Sequence, residues 1–398
     1  MSVHYGGRGP GHLSRWTKAV SASVPTPNFT PVHPAGGDAT YALWTASEAG
    51  GYYDFTDATS LYKTTNGQAN PSADSDTVGY AFNAALMGGN TATTFIAAQS
   101  NLLSNAGFDT DLTGWSGAAW SYSSGKAQHT AGTATAMTQV IAATTSGKSY
   151  YLEGTISGRT AGVLALQLNT NSPNVSANGT TKAIQTGAGG TNFGFKPSSA
   201  FDGAVDNAVC KAVSLHDASQ STAGNRPTYH AAGYVEFVSS SSHYLTTNLV
   251  AGSSGGALGV RGLMPASAGT FIGAKGAGSD RWSLGITVDG YLTATCGSVT
   301  LTGTTDVSGL WGAAMVYEDG ANVYLLWRPR AANTPVVVED SAAYSGAATT
   351  SVAIYLGCYN NNGTPAEHCD GIFEVMTAYT EGAPDENQYT NFLCYGNV

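Results

Sequence analysis

Residues 101–115 read NLLSNAGFDTDLTGW and begin a segment, residues 101–215, that has the pattern of a small β-domain. Short runs suited to strands recur through this segment, with glycine-rich turns between them at the spacing expected of a sandwich. These runs are residues 118–122, 136–141, 149–156, 163–168 and 209–215. We therefore predict that residues 101–215 form a β-sandwich of their own.

Strand signals also lie on both sides of this segment. The run GYYDF at 51–55 precedes it, and the alternating run GYVEFV at 233–238 follows it. Residues 281–292 predict a hairpin that turns at Asp289-Gly290, because this dipeptide favours two-residue turns. No stretch has a sustained helical period, and the one helix predicted is short and terminal, over 384–392. The fold class predicted is all-β: two β-sandwich (jelly-roll) domains, one inserted in the other.

The predicted domain boundaries follow from these signals. Residues 38–100 and 216–398 form two parts of one outer sandwich, and residues 101–215 form the inserted module. Residues 1–37 precede them as an irregular, proline-rich arm with Arg8, Arg15 and Lys18 and no acidic residue. Two interpretations of the arm are open: a disordered tail, or an anchor that becomes ordered on a larger, acidic assembly.

Composition excludes several classes of protein. Charged residues make up 11% of the 398 residues, against about 25% in an ordinary soluble domain, and the net charge is −10. The sequence lacks the basic stripe that is typical of nucleic-acid binding. It also lacks an apolar run that would predict membrane insertion and a signal that would predict secretion.

The five cysteines form no CxxC motif. We expect buried or free thiols, with a Cys358–Cys369 disulfide as the alternative in an oxidising medium.

The opening stretch and the run 205–214, VDNAVCKAVS, together resemble the jelly-roll carbohydrate-binding modules. The resemblance covers residues 101–215, and the matching positions are Asn105, Gly107, Phe108, Asp109, Gly114, Trp115, Asp206 and Asn207. Members of that family often hold a structural calcium between the first and last strands. The resemblance implies Asp109 and Asp206 as its ligands, and Ca²⁺ does favour several oxygen donors. The alternative is that Asp206 caps a turn.

The flanking segments resemble structural proteins of tailed phages, prophages and gene transfer agents. The runs that carry this resemblance are YDFTD at 53–57, SLY at 60–62, NRPTY at 225–229, YVEF at 234–237 and HYL at 243–245. In those proteins the second group of motifs begins a concanavalin-like (laminin-G-like) sandwich, and a jelly roll is often inserted between the two groups. The acidic residues usual before HYL are replaced here by serines, so any metal role they carry is lost.

Aromatic side chains are the predicted ligand-binding residues. Flat rings give a rigid surface that suits the apolar faces of sugars, and Trp120, Tyr122 and Tyr151 of the module are the candidates. Trp120 and Tyr122 are two residues apart and should share one strand face. Trp115 is predicted to pack in the core. Tyr150 and Tyr151 must point to opposite faces, so at least one of them should be core.

No catalytic residue is predicted. The run 252–256, GSSGG, matches G-x-S-x-G, but a nucleophile elbow needs a helix after it and the following residues have no helical period. Paired acids occur at Asp54/Asp57, Asp109/Asp111, Asp202/Asp206 and Glu339/Asp340. Nothing singles out one of these pairs as the two carboxylates of a glycosidase.

The sequence therefore predicts a non-enzymatic virion protein, a fibre or spike, that attaches the particle to surface polysaccharide of the host cell. Its expected partners are other virion proteins, through residues 1–37, and further copies of itself as a homo-oligomer, although no heptads predict a coiled coil. Two alternatives remain: a purely structural capsid or tail decoration protein, and a polysaccharide-degrading enzyme.

Overall fold

The computed structural model describes residues 50–64, 69–84, 92–168, 170–215, 217–250, 256–278, 280–331, 334–344, 350–380 and 392–393. Over these ranges the protein is nearly all β, which confirms the predicted fold class. The predicted arm and all but the last residue of the helix predicted over 384–392 lie outside the described ranges. Among the described residues, no helix is long and apolar enough to cross a membrane.

The outer sandwich has two layers, in which the strands are antiparallel except for the parallel pair β18 (Gly269–Lys275) and β26 (Tyr359–Asn361). Its eight-stranded sheet runs in the order β14-β15-β28-β17-β22-β23-β24, with β1 also paired to β28. The bounds are β1 (Gly50–Asp54), β14 (Thr228–His230), β15 (Tyr234–Phe237), β17 (Gly256–Leu263), β22 (Trp311–Glu318), β23 (Asn322–Pro329), β24 (Val337–Ala343) and β28 (Gly371–Tyr379).

The second layer is an eleven-stranded sheet of mostly short strands, in the order β2-β3-β13-β16-β25-β18-β19-β20-β21, with β26 and β27 beside β18. The bounds are β2 (Leu61–Tyr62), β3 (Tyr80–Ala81), β13 (Ala218–Ser219), β16 (Leu245–Thr246), β18 (Gly269–Lys275), β19 (Arg281–Ile286), β20 (Tyr291–Cys296), β21 (Val299–Asp306), β25 (Tyr355–Leu356), β26 (Tyr359–Asn361) and β27 (Thr364–Ala366). One apolar core fills the space between the two layers, with Trp282 and Trp327 among its largest buried side chains.

The inserted module has a smaller core between a five-stranded and a four-stranded sheet. The first, in the order β10-β8-β12-β6-β5, contains β5 (Trp120–Ser123), β6 (Lys126–His129), β8 (Lys148–Ala161), β10 (Gly179–Thr186) and β12 (Asp202–Leu215). The second, in the order β4-β7-β11-β9, contains β4 (Trp115–Ser116), β7 (Met137–Val140), β9 (Leu164–Gln167) and β11 (Asn192–Pro197).

Strands from before and after the module belong to the same sheets. In the eight-stranded sheet, Gly50 of β1 pairs with Tyr379 of β28, and in the other layer Tyr80 of β3 pairs with Ser219 of β13. At the base of the module, the backbone N–H of Leu102 donates to the carbonyl of Cys210 at 2.8 Å. The two ends of the module therefore lie side by side.

One element contradicts the expectation that the only helix is terminal. Residues Ala92–Ala98 form a short helix, α1, just before the module. Its sequence, ATTFIAA, buries only Ala92 and Ile96, one residue per turn, and two of its seven residues are threonines. Such a helix is too short to show a hydrophobic period, and threonine is a poor helix former, so packing against the sheets stabilises it rather than propensity.

Candidate functional site

A cleft of about 740 Å³ lies where the inserted module meets the outer sandwich. One wall is the outward face of the module's five-stranded sheet, and the other includes α1 and Tyr62 of β2. The polar side chains that line the cleft include Tyr151, Asn174, Glu153, Lys182 and Lys211. We call this feature the interdomain cleft.

Strand register brings these side chains to one face. In adjacent strands Lys182 pairs with Glu153, and Tyr151 pairs with Lys211. Tyr151 and Glu153 are two residues apart on β8, so both project outward, while Tyr150 and Leu152, which alternate with them, point into the module core. The alternation of the strands therefore places two cations, one carboxylate and one phenol on the same patch.

Hydrogen bonds fix the floor of the interdomain cleft. The Tyr151 hydroxyl donates to the Glu153 carboxylate. Burial, and secondly this bond to an anion, raises the pKa of Tyr151 well above its ordinary value, so the phenol keeps its proton. The ammonium group of Lys211 donates to the carbonyls of Ile96 and Ala97 at 3.0 Å each, and this contact holds the last turn of α1 on the module.

Polar contacts also hold the two domains together beside this cleft. The Tyr80 hydroxyl of the outer sandwich hydrogen-bonds the Ser149 hydroxyl of the module at 2.7 Å and the Asp217 carboxylate. The amide of Asn248 donates to the carbonyl of Gly147 at 3.3 Å. Because the Tyr80–Ser149 and Asn248–Gly147 bonds cross between the domains, the cleft walls are pre-positioned rather than joined only by linkers.

The arrangement suits a polyhydroxylated ligand. Lys182 is exposed and offers donors, Glu153 offers an acceptor, and Asn174 carries an exposed amide that does both. A sugar hydroxyl can accept from an ammonium group and donate to a carboxylate at the same time. The cleft therefore has the groups to bind saccharide hydroxyls along one side of the module.

The three predicted ligand-binding aromatics occupy three different environments. Tyr151 lines the interdomain cleft but is only 6% exposed. Tyr122 is 43% exposed and donates its hydroxyl to the carbonyl of Asp109 at 3.1 Å, away from that cleft. Trp120 is 8% exposed, packs against His129 and Phe201, and donates its indole N–H to the carbonyl of Thr135.

These placements separate the candidates. Trp120 and Tyr122 do lie on one face of β5, but it is the face that meets the other sheet, so the Trp120 ring is packed on both sides and offers no free face to a sugar. The packing gives Trp120 a core role. Trp115 is in the core as predicted, against Phe108 and Phe193. Ligand contact by any of the three candidates stays a prediction.

Sequence reasoning missed Glu153, Lys182, Lys211 and Asn174. The signal for Glu153 was available in part, because it follows Tyr151 by two residues on a predicted strand. For the lysines no signal existed, since β10 was not predicted and only the register of β8 with its two neighbours brings them together.

The predicted calcium ligands lie near the ends of the module. Asp109 is exposed, and Asp206 is partly buried and accepts from the backbone N–H of Asn207 at 2.7 Å. The backbone N–H of Ala208 donates to the carbonyl of Ala106 at 2.8 Å, so the segments that carry the two aspartates are adjacent. Across the described ranges, no group of three or more His, Cys, Asp or Glu side chains is placed to hold a metal ion. Calcium binding by Asp109 and Asp206 stays a prediction.

The acid pairs of the sequence hold local structure. Each pair contributes a carboxylate that accepts hydrogen bonds within a turn or at a strand edge: Asp54 from Thr56, Asp57 from Thr59, Asp111 from Thr113, Asp202 from Thr160, and Glu339 from Thr304 and Thr305. The G-x-S-x-G match is followed directly by the strand β17, not by the helix that a nucleophile elbow needs.

The four described cysteines are free and buried: Cys210, Cys296, Cys358 and Cys369. This confirms the expectation of buried thiols, and in the structure Cys358 and Cys369 are not bridged. Burial raises the pKa of all four thiols, to about 12 for Cys210 and Cys296. Protonated, enclosed thiols are poor nucleophiles, so none of them is a candidate for catalysis.

Comparison with known proteins gives likeness of fold only. No protein-family model and no curated protein matches the chain. Among solved structures, a sialidase CBM40 module of Ruminococcus gnavus, bound to α2,3-sialyllactose, is similar at 16% identity and a TM-score of 0.26, over 35% of this chain and 82% of that one. Domains LG4-5 of the mouse laminin α1 chain are similar at 12% identity and a TM-score of 0.28, over 72% of this chain and 96% of that one. The NanB sialidase of Streptococcus pneumoniae is similar at 10% identity and a TM-score of 0.27, over 35% of this chain and 24% of that one.

Proposed function

We propose that the protein is a non-enzymatic glycan-binding protein, and that it binds saccharide in the interdomain cleft. The observation that carries the proposal is the set of donors and acceptors that line this cleft: Lys182 and Glu153, which strand register pairs, together with Asn174 and Tyr151. Lys182 and Glu153 face outward from the five-stranded sheet, and the outward face of a sheet is by itself a flat surface. The second wall turns that surface into a cleft that can enclose a sugar chain.

We propose further that this binding serves attachment of a virion to polysaccharide on its host cell. The support is the resemblance of the flanking motifs to virion structural proteins, together with the order of those motifs around a jelly roll. Weak binding by one cleft becomes useful when many copies are displayed, because multivalency multiplies affinity without new contacts. Residues 1–37 would fix the protein to the particle, and a homo-oligomer would present several clefts together.

The first experiment is a glycan array followed by calorimetric titration of the best ligand. Glu153→Gln and Lys182→Gln should each weaken binding about tenfold, which corresponds to about 1.4 kcal/mol. The matched control is Lys126→Gln. Lys126 lies on β6 of the same sheet but does not line the cleft, and its ammonium group donates to Ser157 at 3.0 Å. Equal effects of Lys126→Gln and Lys182→Gln would contradict the assignment of the cleft.

The two alternative functions, a decoration protein and a polysaccharide-degrading enzyme, predict different results when the same preparation is assayed. A purely structural decoration protein should bind no glycan on the array and should still assemble on particles. A polysaccharide-degrading enzyme should release reducing ends from the ligand polysaccharide. Removal of residues 1–37 tests the anchor, because particles that still incorporate the shortened protein fully would contradict that role.

A further inference from the structure

A second hollow, of about 200 Å³, lies on the outward face of the eleven-stranded sheet of the outer sandwich. Its floor consists of hydroxyl side chains, and one cation and one anion line it: Thr270, Ser283, Thr293, Thr295, Arg281 and Glu367. We call it the outer hollow. It shares no lining residue with the interdomain cleft.

Small residues on two successive rows of the sheet create the depression. In one row Gly273, Ser283 and Thr295 are paired across β18, β19 and β20. In the next row Gly285 stands between Thr270 and Thr293. The glycine at 273 is required, because a Cβ there would lie 2.7 Å from the Cβ of Ser283.

The floor is deep although it faces away from the core. Thr270 and Ser283 are each 5% exposed, and Thr295 is 7% exposed. Polar side chains on the outward face of a sheet are normally open to water. Their burial here shows that neighbouring groups rise around them, so the floor of the outer hollow lies below the surrounding surface.

The charged residues of the outer hollow are arranged to recognise a ligand. The guanidinium carbon of Arg281 lies 5.5 Å from the centre of the Tyr359 ring, and its Nε is buried with no hydrogen-bond partner. Within the described ranges Arg281 forms no salt bridge. Glu367 is exposed, and its carboxylate accepts from the Thr270 hydroxyl at 3.2 Å and is hydrogen-bonded to the Tyr359 side chain, which leaves lone pairs of the carboxylate for a further donor. A stacked guanidinium and a nearby carboxylate thus remain available in one small space.

We propose that the outer hollow is a second saccharide site, which binds one neutral sugar residue through a pair of adjacent hydroxyls. One cation and one anion line the space, so the attraction of an anionic sugar to Arg281 is opposed by its repulsion from Glu367, and the reverse holds for an amine. Two neighbouring hydroxyls satisfy both groups, since each accepts from the guanidinium or donates to the carboxylate. The volume is below the roughly 300 Å³ at which pockets for drug-sized ligands begin, and this limits the occupant to one ring.

The test uses the full-length protein and amide NMR with a panel of free sugars: galactose, glucose, mannose and N-acetylglucosamine, with glucuronate and glycine as charged probes. We expect one neutral sugar to bind at millimolar concentration and to shift the amides of Thr270, Ser283 and Thr295. Arg281→Lys keeps the charge but loses the planar fork, and Thr295→Val keeps the shape but loses the hydroxyl. Each should weaken that binding about tenfold.

Two controls keep this site distinct from the interdomain cleft. Thr302→Val changes an exposed threonine of β21, on the same sheet outside the hollow, and should leave binding unchanged. Lys182→Gln should weaken binding about tenfold in the interdomain cleft and leave binding in the outer hollow unchanged, so failure of one proposal leaves the other intact. Tighter binding of glucuronate or glycine than of every neutral sugar would overturn the ligand class. No shift at Thr270, Ser283 and Thr295 with any probe would overturn the site.

Discussion

Glu339, one of the paired acids of the sequence, makes hydrogen bonds that join the two layers of the outer sandwich. It lies on β24, the last strand of the eight-stranded sheet, and is 6% exposed. Its Oε2 accepts from the backbone N–H groups of Thr304 and Thr305, at 2.9 Å each. Both donors belong to β21, the last strand of the opposite layer. The carboxylate therefore joins the two layers along their shared edge, a contact that we call the Glu339 latch. It also pairs two backbone N–H groups that an edge strand would otherwise leave without a partner.

We predict that Glu339→Ala destabilises the outer sandwich by about 3 kcal/mol. A hydrogen bond to a charged group contributes roughly 1.5–3 kcal/mol. Thr304 and Thr305 are exposed, so water replaces part of the loss and the lower value applies to each bond. Glu339→Gln keeps an oxygen acceptor without the charge, and we expect it to cost about half as much.

The assay is urea unfolding, followed by fluorescence of Trp282 and Trp327, which are buried in the affected core. Asp340→Asn is the matched control, because Asp340 accepts a single β21 donor, from Thr302 at 3.0 Å. It should cost about 1 kcal/mol. A Glu339→Ala protein as stable as wild type would refute the latch. Loss of polysaccharide cleavage without loss of stability would instead favour the enzyme.

Four further predictions concern other parts of the molecule. Trp120→Ala should cost about 3–5 kcal/mol in thermal unfolding, as for a core ring, and Tyr122→Ala below about 1 kcal/mol; similar costs would contradict their placement. If Asp109 and Asp206 hold calcium, added calcium should raise the unfolding temperature of wild type but not that of Asp206→Asn. If calcium leaves the unfolding temperature of wild type unchanged, a stabilising ion is excluded. The hydrogen bond from Lys63 holds the pKa of Asp76 at about 2, below its value in the unfolded chain. The contribution of Asp76 to the free energy of unfolding is therefore present above about pH 4 and is lost as the pH falls through about 2. The difference in stability between wild type and Asp76→Asn should shrink over that window. Cys210, Cys296, Cys358 and Cys369 should resist maleimide in the native protein and react after unfolding, as measured by intact mass; fast native labelling of any of them would contradict its burial.

The sequence by itself determined the strands and their turns. Alternation of apolar residues in 234–237 gives β15, with Val235 and Phe237 buried. Asp289-Gly290 gives the hairpin between β19 and β20, where Gly290 adopts φ +80°, a conformation that favours glycine. These features are local, because φ/ψ preference and period two act over a few residues.

The tertiary structure alone decided which faces are covered and which side chains meet. The alternation of side chains along a strand predicts that Trp120 and Tyr122 share a face. Only the packing of the second sheet buries Trp120 in the core and leaves Tyr122 exposed at its margin. The same holds for the interdomain cleft, whose lysines come from strands on either side of β8. In the outer hollow, Thr270 and Glu367 are separated by 97 positions and meet through a hydrogen bond. Such contacts depend on strand register and layer packing between distant segments, which no local pattern of residues encodes.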